Sequence, residues 1–149
     1  HHNLLPQSLS IIILPKLSGI TLAKPLWPDM CIDVTRTIRD VLLLNDIPIR
    51  CLPYDKRRTV KEEIFLTQQA TFFIAEHGTV SYLPLLYAND GAVLLSVGDK
   101  DFIKDGEVML YASHLQVFYE TVDNKENIAA VIRLCLHRAA QRFNIKFEI

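Results

Sequence analysis

Short, wholly apolar runs alternate along this chain with stretches that carry apolar residues at helical spacing. Leu9 to Leu14 is nearly all aliphatic and ends at Pro15, the pattern of a strand covered on both faces. Lys16 to Asp29 holds Gly19, Pro25 and Pro28 and predicts a loop. Asp33 is placed to cap a helix from Val34 to about Leu44, with Val34, Ile38, Val41 and Leu42 on one side. Pro48 to Leu52 predicts a second strand, and Asp55 to Arg58 a charged turn. Thr59-Val60-Lys61-Glu62 has the form of a capping box and predicts a helix to about Gln69.

Thr71 to Ala75 predicts a third strand, broken by Gly78. The next helix, Val80 to about Tyr87, contains Pro84, which should kink it or limit it to short turns. Asn89-Asp90-Gly91 is a turn, and Ala92 to Val97 is a fourth strand closed by Gly98. Asp99 to Gly106 reads as a loop, Val108 to His114 as a short helix and Leu115 to Val122 as a fifth strand. Asp123 to Glu126 resembles a second capping box. The final helix carries Ile128, Ile132, Cys135, Leu136, Ala139 and Phe143 on one stripe, and Ile145 to Ile149 is an edge strand or a tail. Regular alternation of strand and helix predicts an α/β fold, a Rossmann-like parallel sheet with helices on both faces. Ligands of such sheets bind beyond the carboxyl ends of the strands.

Composition agrees with one core-forming domain of 149 residues. Apolar residues make up 50% and charged residues 22%, which excludes a disordered chain. Sixteen Lys+Arg against seventeen Asp+Glu leave a net charge of −1, so no charge excess points to nucleic acid or an anionic membrane. A mean hydropathy of +0.17 fits a buried sheet with a face covered by a partner. No apolar run approaches the ~20 residues of a membrane span. His1 and His2 read as the end of a tag, and the start has no signal-peptide pattern. Three well-separated cysteines, Cys31, Cys51 and Cys135, without a CxxC spacing, read as buried small apolar residues and not as a disulfide framework or zinc site.

The segment Thr71 to Val80 carries the chemistry. Glu76 and His77 stand at the end of a buried strand, Gly78 permits a sharp turn and close ligand approach, and the next helix offers free N–H groups to a phosphate. His77 can donate to a diphosphate or a sugar hydroxyl. The competing reading is a strand-to-helix turn whose histidine bonds the backbone. Other candidates read as structural: His114 and His137 lack a second ligand at metal spacing, Lys56-Arg57-Arg58 is a solvated turn, Asp99, Asp101 and Asp105 lack the pattern of a calcium loop, and Trp27, Tyr82 and Tyr87 pack.

On these residues, Thr59 to Val97 resembles the C-terminal half of family-61 glycosyltransferases, a group with plant xylan and endoplasmic-reticulum members. Val60 to Ile64 stands where the family's Glu-Gln helix begins, Phe72 to Gly78 for its strand and the first half of its His-Gly-Ala-Gly motif, and Gly91 to Val97 for the following strand. Glu107 to Thr121 fits its next helix and strand. The resemblance implies one half of a GT-B enzyme, a longer protein with its second domain, or a partner chain, elsewhere. It implies a nucleotide-sugar donor, transfer to a hydroxyl of a glycan or protein acceptor, no metal, no further cofactor, and a lumenal location in the endoplasmic reticulum or Golgi. Carried onto this chain, the substrate-binding residues are Lys16, Glu76, His77, Gly78, Thr79 and Ser96, with no catalytic base assigned.

The chain also departs from the family. Thr79 and Val80 replace Ala-Gly, Leu83 stands near an expected Asn, Ser96 replaces a Glu, and Lys16 alone answers for the family's arginines. These departures favour an alternative, an inactive Rossmann-like scaffold subunit of a larger assembly. A third reading, a nucleotide-binding regulatory module of flavodoxin-like order, has no acidic cluster or phosphate-loop glycine pattern behind it.

Overall fold

The computed structural model describes residues 6–16, 24–52, 58–99 and 114–148, and of Thr79 and Lys125 the backbone. The strands are β1 (Ile11–Leu14), β2 (Ile49–Cys51), β3 (Phe72–Glu76), β4 (Val93–Gly98) and β5 (Gln116–Thr121). They form one sheet in the order β2-β1-β3-β4-β5, with every neighbouring pair parallel. The helices are α1 (Met30–Arg36), α2 (Val60–Thr67), α3 (Tyr82–Tyr87) and α4 (Lys125–Arg142). The expected Rossmann-like α/β sheet with helices on both faces is what the chain forms.

Side chains along a strand alternate between the faces of the sheet, so an aliphatic run feeds two cores at once. Ile11 and Ile13 of β1 join Phe72, Ile74, Val93 and Leu95 in one core, closed by Met30 and Val34 of α1 and by Ile128, Ile132 and Leu136 of α4. Ile12 and Leu14 join Phe73, Ala75 and Leu94 in the other, beneath Leu66 of α2 and Leu83 and Leu85 of α3. The central strands β1, β3 and β4 are buried along their whole length. Edge strand β2 has no buried residue, and β5 is half-buried throughout.

Local signals were mostly realised. Thr59 Oγ1 accepts from the Glu62 N–H at 3.1 Å, the capping contact expected of that box. Pro84 falls in the first turn of α3, after a 3₁₀ turn over Thr79–Ser81, where its missing N–H has no helical partner to lose. Three expectations are corrected. Asp33 does not start a helix: α1 begins at Met30, the Asp33 carboxylate accepts from Trp27 Nε1 at 2.8 Å, and the helix runs on into a π turn over Thr37–Val41. Burial of the indole gave its N–H a claim on the nearest carboxylate. Asp123 forms no cap either, because α4 starts after Asn124 without a side-chain capping bond. The third concerns cysteine: Cys31 on α1 and Cys51 on β2 form a disulfide. Sequence spacing gave no sign of it. The sheet order makes β2 the neighbour of β1, next to the helix that follows β1, and leaves the two Cα atoms 6.0 Å apart. Closing a loop across a separation of 20 residues stabilises by about 3 kcal/mol. All but His114 of the expected helix over Val108–His114, and Lys56, Arg57, Asp101 and Asp105, lie outside the described residues. Ile145–Glu148 is irregular, with Phe147 against the His137 ring.

Cys135 is the free cysteine, fully buried on α4. Burial pushes its thiol up from 9.0 to about 12, since the apolar core penalises the thiolate. The unfolded chain therefore releases this proton first, so Cys135 withdraws stability as pH rises from 9 toward 12 and contributes no pH dependence below. A thiol reagent should leave the native chain unlabelled near neutral pH and label it once denatured, and Cys135→Ala should flatten the alkaline loss of stability. Rapid labelling of the native chain would contradict this.

Candidate functional site

A doubly wound sheet opens a crevice where consecutive crossovers leave in opposite directions. Here that point lies between β1 and β3: from β1 the chain goes out to β2, while from β3 it goes to β4. The carboxyl ends meeting there are Leu14 with Lys16, Glu76 with His77 and Gly78, and, one strand further, Gly98 with Asp99. The topology thus gathers Lys16, Glu76, His77, Gly78 and Thr79 at one rim.

Glu76 is the last residue of β3 and is 1% exposed. Its Oε2 accepts from the Lys16 N–H at 3.3 Å, and its Oε1 from the Leu26 N–H. One buried carboxylate therefore holds both ends of the β1–α1 connection. A buried charge is tolerated only with such partners, and two backbone donors supply them. Ser96 on β4 is fully buried, and its Oγ lies 3.5 Å from His77 Nδ1. The His77 N–H donates to the Val97 carbonyl at 2.7 Å. The residue is half-buried, with backbone and Ser96 fixing its position.

Gly78 has φ +137°, a conformation that favours glycine. Lys16 lies over it: a Cβ on Gly78 would stand 2.6 Å from Lys16 Cε and 2.7 Å from Nζ. The ammonium thus rests on bare backbone at the rim. Ser81 closes the turn, its hydroxyl donating to the Gly78 carbonyl at 2.6 Å. Thr79 opens the 3₁₀ turn, and Val80 is buried in the core beneath α3. Of the residues singled out from sequence, Lys16, His77 and Gly78 line the rim, Thr79 follows in the turn, and Glu76 and Ser96 stand behind them and position them. No sequence signal pointed to Leu26, whose N–H completes the Glu76 clamp. Among the described residues no group of histidine, cysteine, aspartate and glutamate is arranged to hold a metal ion.

A cavity of about 550 Å³ lies at the other end of the sheet, among residues that begin β1 and β2 and precede β3.

No protein-family model and no curated protein matches the sequence. Among solved structures, a diflavin flavoprotein A3 from Nostoc sp. superposes with a TM-score of 0.53 at 10% identity, covering 91% of this chain and 92% of that one. A flavodoxin-like domain from Synechococcus sp. gives 0.49 at 12% identity over 90% and 96%. The strand order 2-1-3-4-5 is the flavodoxin-like one, and the superposition on the Nostoc structure covers 91% of the chain. The fold is of flavodoxin type.

This corrects the likeness to family-61 glycosyltransferases. His77 and Gly78 stand at the carboxyl end of a buried strand, where doubly wound sheets in general bind their ligands, so the matched residues reported architecture rather than family. The nucleotide-sugar donor without a cofactor, the transfer to a hydroxyl acceptor and the glycosyltransferase identity rested on that likeness and fall with it, since the fold is of flavodoxin type. The inactive scaffold gains no support either. The flavodoxin-like order of the third reading, which has neither an acidic cluster nor a phosphate-loop glycine pattern behind it, is the one the sheet adopts.

Gly78→Ala should cost about 1–2 kcal/mol, from the positive φ and the overlap with Lys16. Adding Lys16→Ala should recover the overlap and leave the backbone part. Urea denaturation of the single and double variants measures both, and a Gly78→Ala chain as stable as the parent would contradict the geometry.

Proposed function

We propose that this chain is a flavin-mononucleotide-binding domain of redox function, with the cofactor at the β1/β3 switch point. The observation that carries the reading is the rim: Lys16 presents its ammonium over the bare backbone of Gly78, beside the half-buried His77. These residues fit the phosphate-bearing end of such a ligand. A cation, a glycine without a Cβ and an imidazole held by Ser96 converge where ligands of this topology enter. Lys16 supplies charge to the phosphate, Gly78 lets it approach the main chain, and His77 offers a ring edge and a donor. Glu76 fixes the chain on either side of residues 17–23 without touching the ligand. When bound, the flavin supplies one- and two-electron transfer.

We read the 149 residues as one domain, because both cores are built on a single sheet. The Cys31–Cys51 disulfide supports an oxidising compartment, a broader reading than the endoplasmic reticulum or Golgi expected from the withdrawn family. No helix among the described residues is long and apolar enough to cross a membrane.

Titration of the purified chain into flavin mononucleotide, followed by flavin fluorescence, tests the reading. Saturable quenching is expected, weaker for riboflavin, which lacks the phosphate. Lys16→Ala should weaken it about tenfold, the loss of one charge-assisted contact. No binding by a folded chain, or equal binding of riboflavin, would overturn it.

A further inference from the structure

The cavity at the amino-terminal rim of the sheet lies away from the switch point and plays no part in the flavin reading. Its walls come from Ser10 before β1, Ile49 and Arg50 of β2, Leu66 and Gln69 around the end of α2, and Arg39 from the π turn after α1. In a parallel sheet all strands begin on the same side, so this rim and the flavin rim are opposite ends of the molecule.

The volume, about 550 Å³, falls within the range of small-molecule sites. Both titratable side chains in its wall are arginines, and no carboxylate lines it. Among the described residues neither arginine forms an ion pair. Arg39 is half-buried and anchored: its Nη1 donates to the Leu44 carbonyl at 2.7 Å, which holds the guanidinium while using one of its five N–H donors. Arg50 stands on the exposed edge strand, in register with Ile12. Ser10 and Gln69 are tied to each other, the serine hydroxyl donating to the Gln69 carbonyl at 2.8 Å. The remaining wall is largely aliphatic, with Ile49 and Leu66 prominent.

Arg39 and Arg50 both line this cavity and no carboxylate does, which sets its ligand class. Planar forks of N–H donors match a carboxylate edge-on, and aliphatic walls favour a body that leaves water. The geometry points to a second site here, for a small carboxylate with an apolar body, gripped through Arg39 and Arg50. Inorganic phosphate would satisfy the charge but leave the aliphatic wall wet.

Phenylacetate is the probe, with phenylacetamide as its uncharged counterpart and inorganic phosphate as the charge without the body. Backbone amide shifts of the full chain are followed during each titration. Saturable shifts at Ser10, Ile49 and Gln69 are expected with phenylacetate, and much weaker ones with the other two. Arg50→Gln, on an exposed edge that the core does not depend on, should keep the spectrum of the folded chain and weaken phenylacetate about tenfold. The inference is overturned if phenylacetate produces no saturable shifts there, if phenylacetamide or phosphate binds equally well, or if Arg50→Gln binds like the parent. Shifts centred on Lys16 and His77 would also overturn it, by assigning the anion to the opposite rim.

Discussion

The carboxylate of Glu76 is the constraint on which the candidate site depends. It ends the central strand β3, is withdrawn from water, and must find hydrogen-bond donors inside the protein. It finds them in the N–H groups of Lys16 and Leu26, one just beyond β1 and one shortly before α1. The charge that is costly to bury is thereby converted into a tether between β3 and the β1–α1 connection. Lys16 is held where its side chain crosses Gly78, and Gly78 can accept that crossing because it carries no Cβ. Removing the carboxylate leaves two backbone donors without partners, each a loss of about 1–3 kcal/mol.

Around this tether the remaining contacts divide the work. Ser96 bonds the His77 ring and Ser81 the Gly78 carbonyl, so hydroxyls fix the turn after β3 together with the buried Val80. The disulfide does the corresponding job at the far edge, joining α1 to the short strand β2, which the sheet alone grips on one side. Both devices hold elements on either side of β1, the strand next to which the crevice opens.

The fold was largely legible because its signals are local and repeated. Ile11 to Leu14 and Phe72 to Ala75 are unbroken apolar runs, and only a sheet covered on both faces accommodates them. The six residues singled out at the site converge on the switch point or stand just behind it, because strand ends in such a sheet are where polar residues interrupt apolar runs. What sequence did not reveal depends on distance in space. Nothing near Cys31 signals Cys51, and nothing near Glu76 signals Leu26, since both pairings arise from strand order. The same limit misled the family assignment: His77-Gly78 after a strand marks a position in the architecture, and several ligand chemistries share it.

The most direct measurement of the central tether is native-state hydrogen exchange at the Lys16 and Leu26 amides in the parent chain and in Glu76→Leu, a variant that keeps the bulk and removes both acceptors. Strong protection of both amides in the parent, lost together in the variant while the β4 amides stay protected, is the predicted result. Protection at Lys16 and Leu26 that is absent in the parent, or unchanged in the variant, would contradict the account.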